Sequence, residues 1–251
     1  MTTTTWAKDV RRALEAEADP ATKLWGEKYF LGATKLIGVK APRTKAIERA
    51  LRPAWKTAPP EERAAFALKL LRSPYMEERQ IAMMVLAPLM KQPIGPTLLD
   101  DIERLFDDTV RDWATCDGLC STALRPLLEH PAARKCIKAW SRTGASDART
   151  WKQRASAVAF VNEARHGRYD DDVIEVCSRI VKNPERFVQL GCGWVLRELS
   201  LVDRPRVLRF IDDHAQHLSR EGLRYATEKL PAAVKRTVHA RHAQRSGRGR
   251  A

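Results

Sequence analysis

The chain has 251 residues, 44% hydrophobic and 30% charged, which supports a packed core and excludes disorder throughout. Its 45 Lys and Arg against 31 Asp and Glu leave a formal net charge of +14, so the expected partner is a polyanion, nucleic acid first and an anionic membrane surface second. No run of about 18 apolar residues could span a bilayer, and the opening Met1–Trp6 lacks the basic and apolar regions of a secretory signal, so a cytoplasmic protein is expected.

Helix follows helix along the chain, with no sustained apolar/polar alternation to argue for a strand. The pattern predicts helices at about 6–18, 21–31, 43–56, 60–72, 76–90, 96–107, 110–128, 132–142, 148–164, 170–182, 185–200, 204–216 and 219–229. Ser73-Pro74 and Asn183-Pro184 read as start signals, a side-chain acceptor followed by a proline whose missing N–H costs nothing in the first turn. Asp203 and Ser219 are expected caps. Gly144 and Gly167 fall just past predicted ends, where a left-handed residue closes a helix. From about Thr237 the chain has little apolar content and no acid, so a disordered basic tail, 237–251, is expected to follow a single domain at 1–236.

Four segments line up as counterparts: Glu77–Leu86, Asp112–Leu119, Thr150–Val158 and Phe187–Val195, whose starts lie 35, 38 and 37 residues apart. One helix intervenes in each interval. A helix pair recurring at this period is the mark of an α-solenoid of the HEAT kind. The expected fold is therefore all-α, antiparallel helix pairs stacked into a right-handed superhelix with a basic concave face lined by the second helix of each pair.

Those inner helices hold the residues that could carry chemistry. In the predicted helix 110–128, Cys116, Cys120, Leu124, Leu127 and Leu128 form an apolar stripe with Trp113, and Asp117, one turn on, points into it. A carboxylate there is costly unless paired, hydrogen-bonded or functional, and both a structural and a catalytic role stay open. Arg154 flanks the stripe of Trp151, Ala155 and Val158; it could form a salt bridge or grip a DNA phosphate with its planar fork. Trp194 shares a stripe with Phe187, Leu190 and Leu201, beside two glycines, Gly191 and Gly193, that imply close packing or an approached surface. Arg79, Lys152 and Arg197 are candidate phosphate contacts. The other tryptophans, Trp6, Trp25, Trp55, Trp140 and Trp151, read as packing residues. Five cysteines without CxxC spacing read as reduced thiols, and His214 and His217 lack companions for a metal, so no metal and no cofactor are expected.

These motifs resemble the AlkD-type DNA alkylation repair family. The likeness runs from about Tyr29 to Lys235. It begins at Leu36-Ile37-Gly38-Val39-Lys40-Ala41-Pro42-Arg43, similar to a Gly-Val-x-x-Pro segment, and includes Trp113-x-x-x-Asp117, Trp151-x-x-Arg154, the string Gly193-Trp194-Val195-Leu196-Arg197-Glu198, and Ser219-Arg220-Glu221. Ala114 departs from an acidic residue common in the family after the first Trp. The resemblance implies a DNA glycosylase that releases N3- or N7-alkylated purines from duplex DNA, with Asp117 as catalytic carboxylate, Trp113 and Trp194 as aromatic walls and Arg154 on the backbone. It implies no closed pocket for the base, and no lysine is placed for a lyase step. The expected partner is double-stranded DNA bearing alkylated bases, bound by a monomer located at the nucleoid, without membrane or obligate protein partner. Two alternatives remain: a non-catalytic helical-repeat protein binding damaged or branched DNA, and a protein-binding scaffold.

Overall fold

The computed structural model describes residues 2–30, 34–142 and 147–248, and among them every extended regular element is a helix. The fold is all-α, as the periodicity predicts. The chain packs into two compact units, Met1–Ala133 and Arg134–Ala251.

The first unit contains α1 (Thr3–Glu15), α2 (Pro20–Phe30), α3 (Ala41–Leu51), α4 (Pro60–Leu71), α5 (Met76–Leu86), α6 (Leu99–Asp108) and α7 (Trp113–Leu119), which continues through a π-helical turn at Cys120–Leu124 into α8 (Arg125–Leu127). Pro126 explains that turn: it has no N–H for the carbonyl four residues back, and the ladder widens just before it. α5 packs against α3, α4 and α7. Trp6, Trp55 and Phe66 form a buried cluster between helices, with Trp6 meeting Phe66 edge-on at 5.4 Å.

After α9 (Pro131–Ala139), the second unit contains α10 (Asp147–Val158), α11 (Val161–Ala164), α12 (Asp170–Ile180), α13 (Arg186–Leu199), α14 (Arg204–Asp213), α15 (Arg220–Ala226) and α16 (Ala232–Arg248). Its spine is α10 on α13 and α13 on α15. The four counterpart segments are thus α5, α7, α10 and α13, paired as neighbours inside each unit. Both glycines of α13 serve close packing. A Cβ at Gly191 would press on the Arg154 stem at 3.1 Å, and one at Gly193 would meet the Gly222 carbonyl of α15 at 2.6 Å.

Several predicted boundaries hold. Asp203 and Ser219 cap α14 and α15 by accepting from Arg206 N and Gly222 N at 3.0 Å each, and Gly167 takes a left-handed φ of 67° beyond α11. Gly144 lies outside the described residues. Asn183 does not cap α13; Glu185 does, accepting from Phe187 N and Val188 N, while Asn183 Oδ1 accepts from Glu185 N. Ser73 likewise acts one step early, accepting from Tyr75 N in a turn ahead of α5.

The expected disordered tail is corrected. α16 runs to Arg248, with Val238 and His242, one turn apart, buried. His242 Nε2 lies 3.0 Å from Leu218 O, and Asp212 gathers both Arg241 and Arg245. Two burying positions at helical spacing and one collecting carboxylate suffice to order a segment that reads as polar.

Gly193→Ala should force α13 off α15, destabilising the protein by about 1–3 kcal/mol through overpacking against backbone that cannot swing away. Urea denaturation measures it; an unchanged midpoint would mean that the helix contact is looser than described.

Candidate functional site

In the first unit the site is organised by α5, whose first turn carries three buried charged residues, Glu77, Glu78 and Arg79. Glu77 accepts from the backbone N–H groups of Ile37, Gly38 and Val39 at 3.0, 2.8 and 3.1 Å. That contact explains the motif around Gly38, whose φ of 110° only glycine adopts readily. Glu78 receives the Arg11 fork at 2.8 Å through both nitrogens. Arg79 donates to Asp112 Oδ2 at 3.1 Å, Thr115 Oγ1 at 3.2 Å and Ser73 O at 2.7 Å.

Asp112 is the carboxylate that sequence reasoning missed. Only 3% exposed, it caps α7 by accepting from Thr115 N at 2.7 Å and also takes the hydroxyls of Thr34 at 2.6 Å and Thr115 at 2.8 Å. Burial lowers the Arg79 pKa and the Asp112 charge pulls it back up, so the pair is a charge-compensated clamp on the helix that bears Trp113 and Asp117. Arg79, expected at a phosphate, is corrected to this structural role.

Trp113 and Asp117 are both half-buried, one turn apart on the same helix, while Cys116 and Leu119 between and after them face the core. The Trp113 ring lies in an aromatic group contributed by α2: it stacks on Phe30 at 6.0 Å and 20° and takes Tyr29 edge-on at 5.6 Å. Tyr29 stacks in turn on Trp25 at 5.6 Å. Trp25, expected as a packing residue, is 69% exposed and Tyr29 57%. Lys23, Lys28, Lys35 and Lys40 are exposed around them. The signal available in the sequence was aromatic–lysine interleaving along 23–40, which periodicity alone assigned to the core.

In the second unit, Trp194 is half-buried, as are Phe187 and Leu190, and Leu201 is exposed; the buried face of α13 is instead Val188, Cys192, Val195, Leu196 and Leu199. Arg154 crosses α13 over Gly191, 5% exposed, and its Nη1 donates to Phe187 O at 2.7 Å. Lys152 is corrected from a phosphate contact to a buried cation whose Nζ stands 5.9 Å from the Trp140 ring. Arg197 is engaged by Glu198 at 2.8 Å and Glu228 at 2.9 Å and lies over the Tyr225 ring, which corrects its expected role too. Glu198, buried, also takes Lys229 at 3.1 Å and Arg165 at 3.2 Å. Gln189 bridges turns, donating to Val181 O and Asn183 O and accepting from Ser219 N, all at 2.8 Å. The Ser219-Arg220-Glu221 motif resolves into a cap and an ion pair of Glu221 with Arg186 at 2.7 Å.

Among the described residues no group of His, Cys, Asp and Glu could hold a metal, and no helix is long and apolar enough to cross a membrane.

The family model of DNA alkylation repair enzymes matches residues 10–230. Among solved structures, the chain is similar to a predicted DNA alkylation repair enzyme from Enterococcus faecalis, with a TM-score of 0.74 at 16% identity over 86% of this chain and 98% of that one. That likeness speaks for the fold. No curated protein matches the chain in sequence.

Asp112→Ala should cost about 3–5 kcal/mol, because it strands the Arg79 guanidinium as well as uncapping α7; Asp112→Asn, which keeps the capping acceptor, should cost less, as read by urea denaturation. Glu198 yields a pH prediction. Burial pushes its pKa up, yet hydrogen bonds from Lys229 and Arg197 outweigh that and hold it below the usual carboxylate range. Its contribution to stability is then complete above the unfolded-state pKa and lost as pH falls through the lower folded value. Glu198→Gln should therefore destabilise at neutral pH and match the parent below about pH 4, the ordinary Glu range; a constant difference across the titration would refute the charge pairing.

Proposed function

This chain belongs to the family of DNA alkylation repair enzymes, and we propose that within it the protein is a monofunctional DNA glycosylase for N3- and N7-alkylated purines. The observation that supports this reading is the placement of Asp117. Its carboxylate stands half-exposed one turn from the half-exposed Trp113 ring, on a helix whose first turn is fixed by a different, buried aspartate. With Asp112 serving the fold, Asp117 is available to chemistry.

An N3- or N7-alkylated purine carries positive charge, and its glycosidic bond is already weakened. As the bond to C1′ breaks, the base leaves with the bonding pair and becomes neutral, while the sugar develops the charge of an oxocarbenium ion. A carboxylate beside C1′ stabilises that cation, and it orients and deprotonates the water that adds there. An indole face against the sugar contributes cation–π attraction, on the order of 0.5–2 kcal/mol. Trp113 is assigned that role by its place beside Asp117. Trp194 as a second aromatic wall and Arg154 as the contact to the adjacent phosphate are assigned by family resemblance. The exposed lysines 23, 28, 35 and 40 supply phosphate contacts in place of Arg79, Lys152 and Arg197. Specificity follows from the lability of the cationic lesion, and the products are free base and an abasic site. The protein needs no second subunit for this reading.

Asp117→Asn should lose release of 7-methylguanine from methylated duplex by at least about a hundredfold, the scale of one lost electrostatic group, while binding an abasic-site duplex as before. Unchanged release would remove Asp117 from the reaction, and no release by the parent chain would favour a non-catalytic DNA-binding role. Duplex binding should also weaken steeply with salt, with the slope of log K against log salt falling by about 0.9 for each phosphate-contacting lysine replaced by alanine. A flat salt profile would contradict the phosphate contacts.

A further inference from the structure

The segment 36–41, α2, α5 and α7 enclose a cavity of about 620 Å³ within the first unit, inside the range of about 300–1,000 Å³ that small-ligand sites occupy. Two of its walls are aromatic, Trp25 and Phe30 from α2 and Trp113 from α7; Leu36, Val39 and Met76 complete the apolar lining. Gln80 of α5 also lines it, and Gln80 Oε1 is sealed from solvent without a hydrogen-bond partner. A buried amide acceptor left unsatisfied is unfavourable and rare in a folded chain. It fits a ligand that brings its own N–H.

The rim carries one charge of each sign, Asp19 and Lys40, so selection falls to the ring faces and the amide. Ring faces call for a flat π-system, and Gln80 calls for an N–H on its edge. A purine base has both. Trp113 belongs at once to this cavity and to the helix face that bears Asp117, one turn away. We propose that the cavity receives the alkylated purine after its bond to the sugar has broken. The inference rests on the glycosylase reading. It adds a product site to it: the lesion is selected by lability before cleavage, and the free base is held afterwards.

Isothermal titration of the full chain with free 3-methyladenine and free 7-methylguanine tests this. Saturable one-site binding is expected, weakened about tenfold by Gln80→Leu, the effect of one lost hydrogen bond, and by a similar factor in Trp25→Ala, with thermal unfolding checking that both variants fold. Asp117→Asn, which lies outside the cavity lining, should bind free base like the parent. No saturable binding up to the solubility limit, or full affinity in both cavity variants, overturns the proposal. Release of base from methylated duplex, assayed alongside, separates the two readings. Release without binding of free base ends the product site and leaves the glycosylase standing; binding of free base without release supports the cavity and ends the glycosylase.

Discussion

Three consecutive charged side chains at the start of α5 hold the first unit in its working shape. Glu77 gathers the backbone of residues 37–39, Glu78 ties down Arg11 of α1, and Arg79 clamps Asp112 at the head of α7. All three are buried, and a buried charge is tolerated only where partners replace the water it has lost. Here each partner belongs to a different element, so satisfying the charges fixes the relative placement of α1, the 36–39 segment and α7. The two glutamates also sit in the first turn of α5, where the helix dipole favours negative charge. A purely apolar contact would bind the same elements together with less say over register.

The second unit reaches a comparable result through small residues and neutral donors. Gly191 and Gly193 lie two residues apart on α13, so one faces α10 and the other α15, and each allows an approach that a methyl group would block. Gln189, one turn before Gly193, stitches the α12–α13 turn to the start of α15. Together they place the Trp194 stripe outward while Val195 and Leu196 fill the core. Arg154, laid across Gly191, shows how close packing and polar placement are joined: the guanidinium reaches Phe187 O because α13 has no side chain in its path.

Much of this was legible in the sequence. Helical period and turn chemistry locate the helices, and the spacing of the four counterpart segments identifies the helices that stack within each unit. The turn between Trp113 and Asp117 places both on one side of α7 from numbering alone. What stayed hidden was pairing over long separations. Arg79 and Lys152 look like cations on an open wall until Asp112 and Trp140 are brought beside them, and nothing local in the chain announces either contact. Glu185 displaces Asn183 as a cap because the chain turns one residue later than Asn-Pro alone would dictate. α16 escapes composition because its order comes from Leu218 and Asp212, both supplied by residues before it.

The contrast between α7 and α2 gives the site its division of labour. α7 is anchored by a buried ion pair and a side-chain cap, so Asp117 is held where small displacements would be costly to the reaction. α2 offers the opposite: Trp25 and Tyr29 stacked on each other yet exposed, inside a collar of lysines. Large exposed aromatics are unfavourable in water, and a basic chain needs no aromatic surface merely to attract phosphate. Lysine attraction is long in range, blind to the lesion and weakened by salt; contact with an aromatic face is short in range and indifferent to salt. A protein with both can reside on DNA broadly through the first and respond to a flat, partly unstacked base through the second, while the bond is broken only where a fixed carboxylate meets a sugar whose base is already poised to leave.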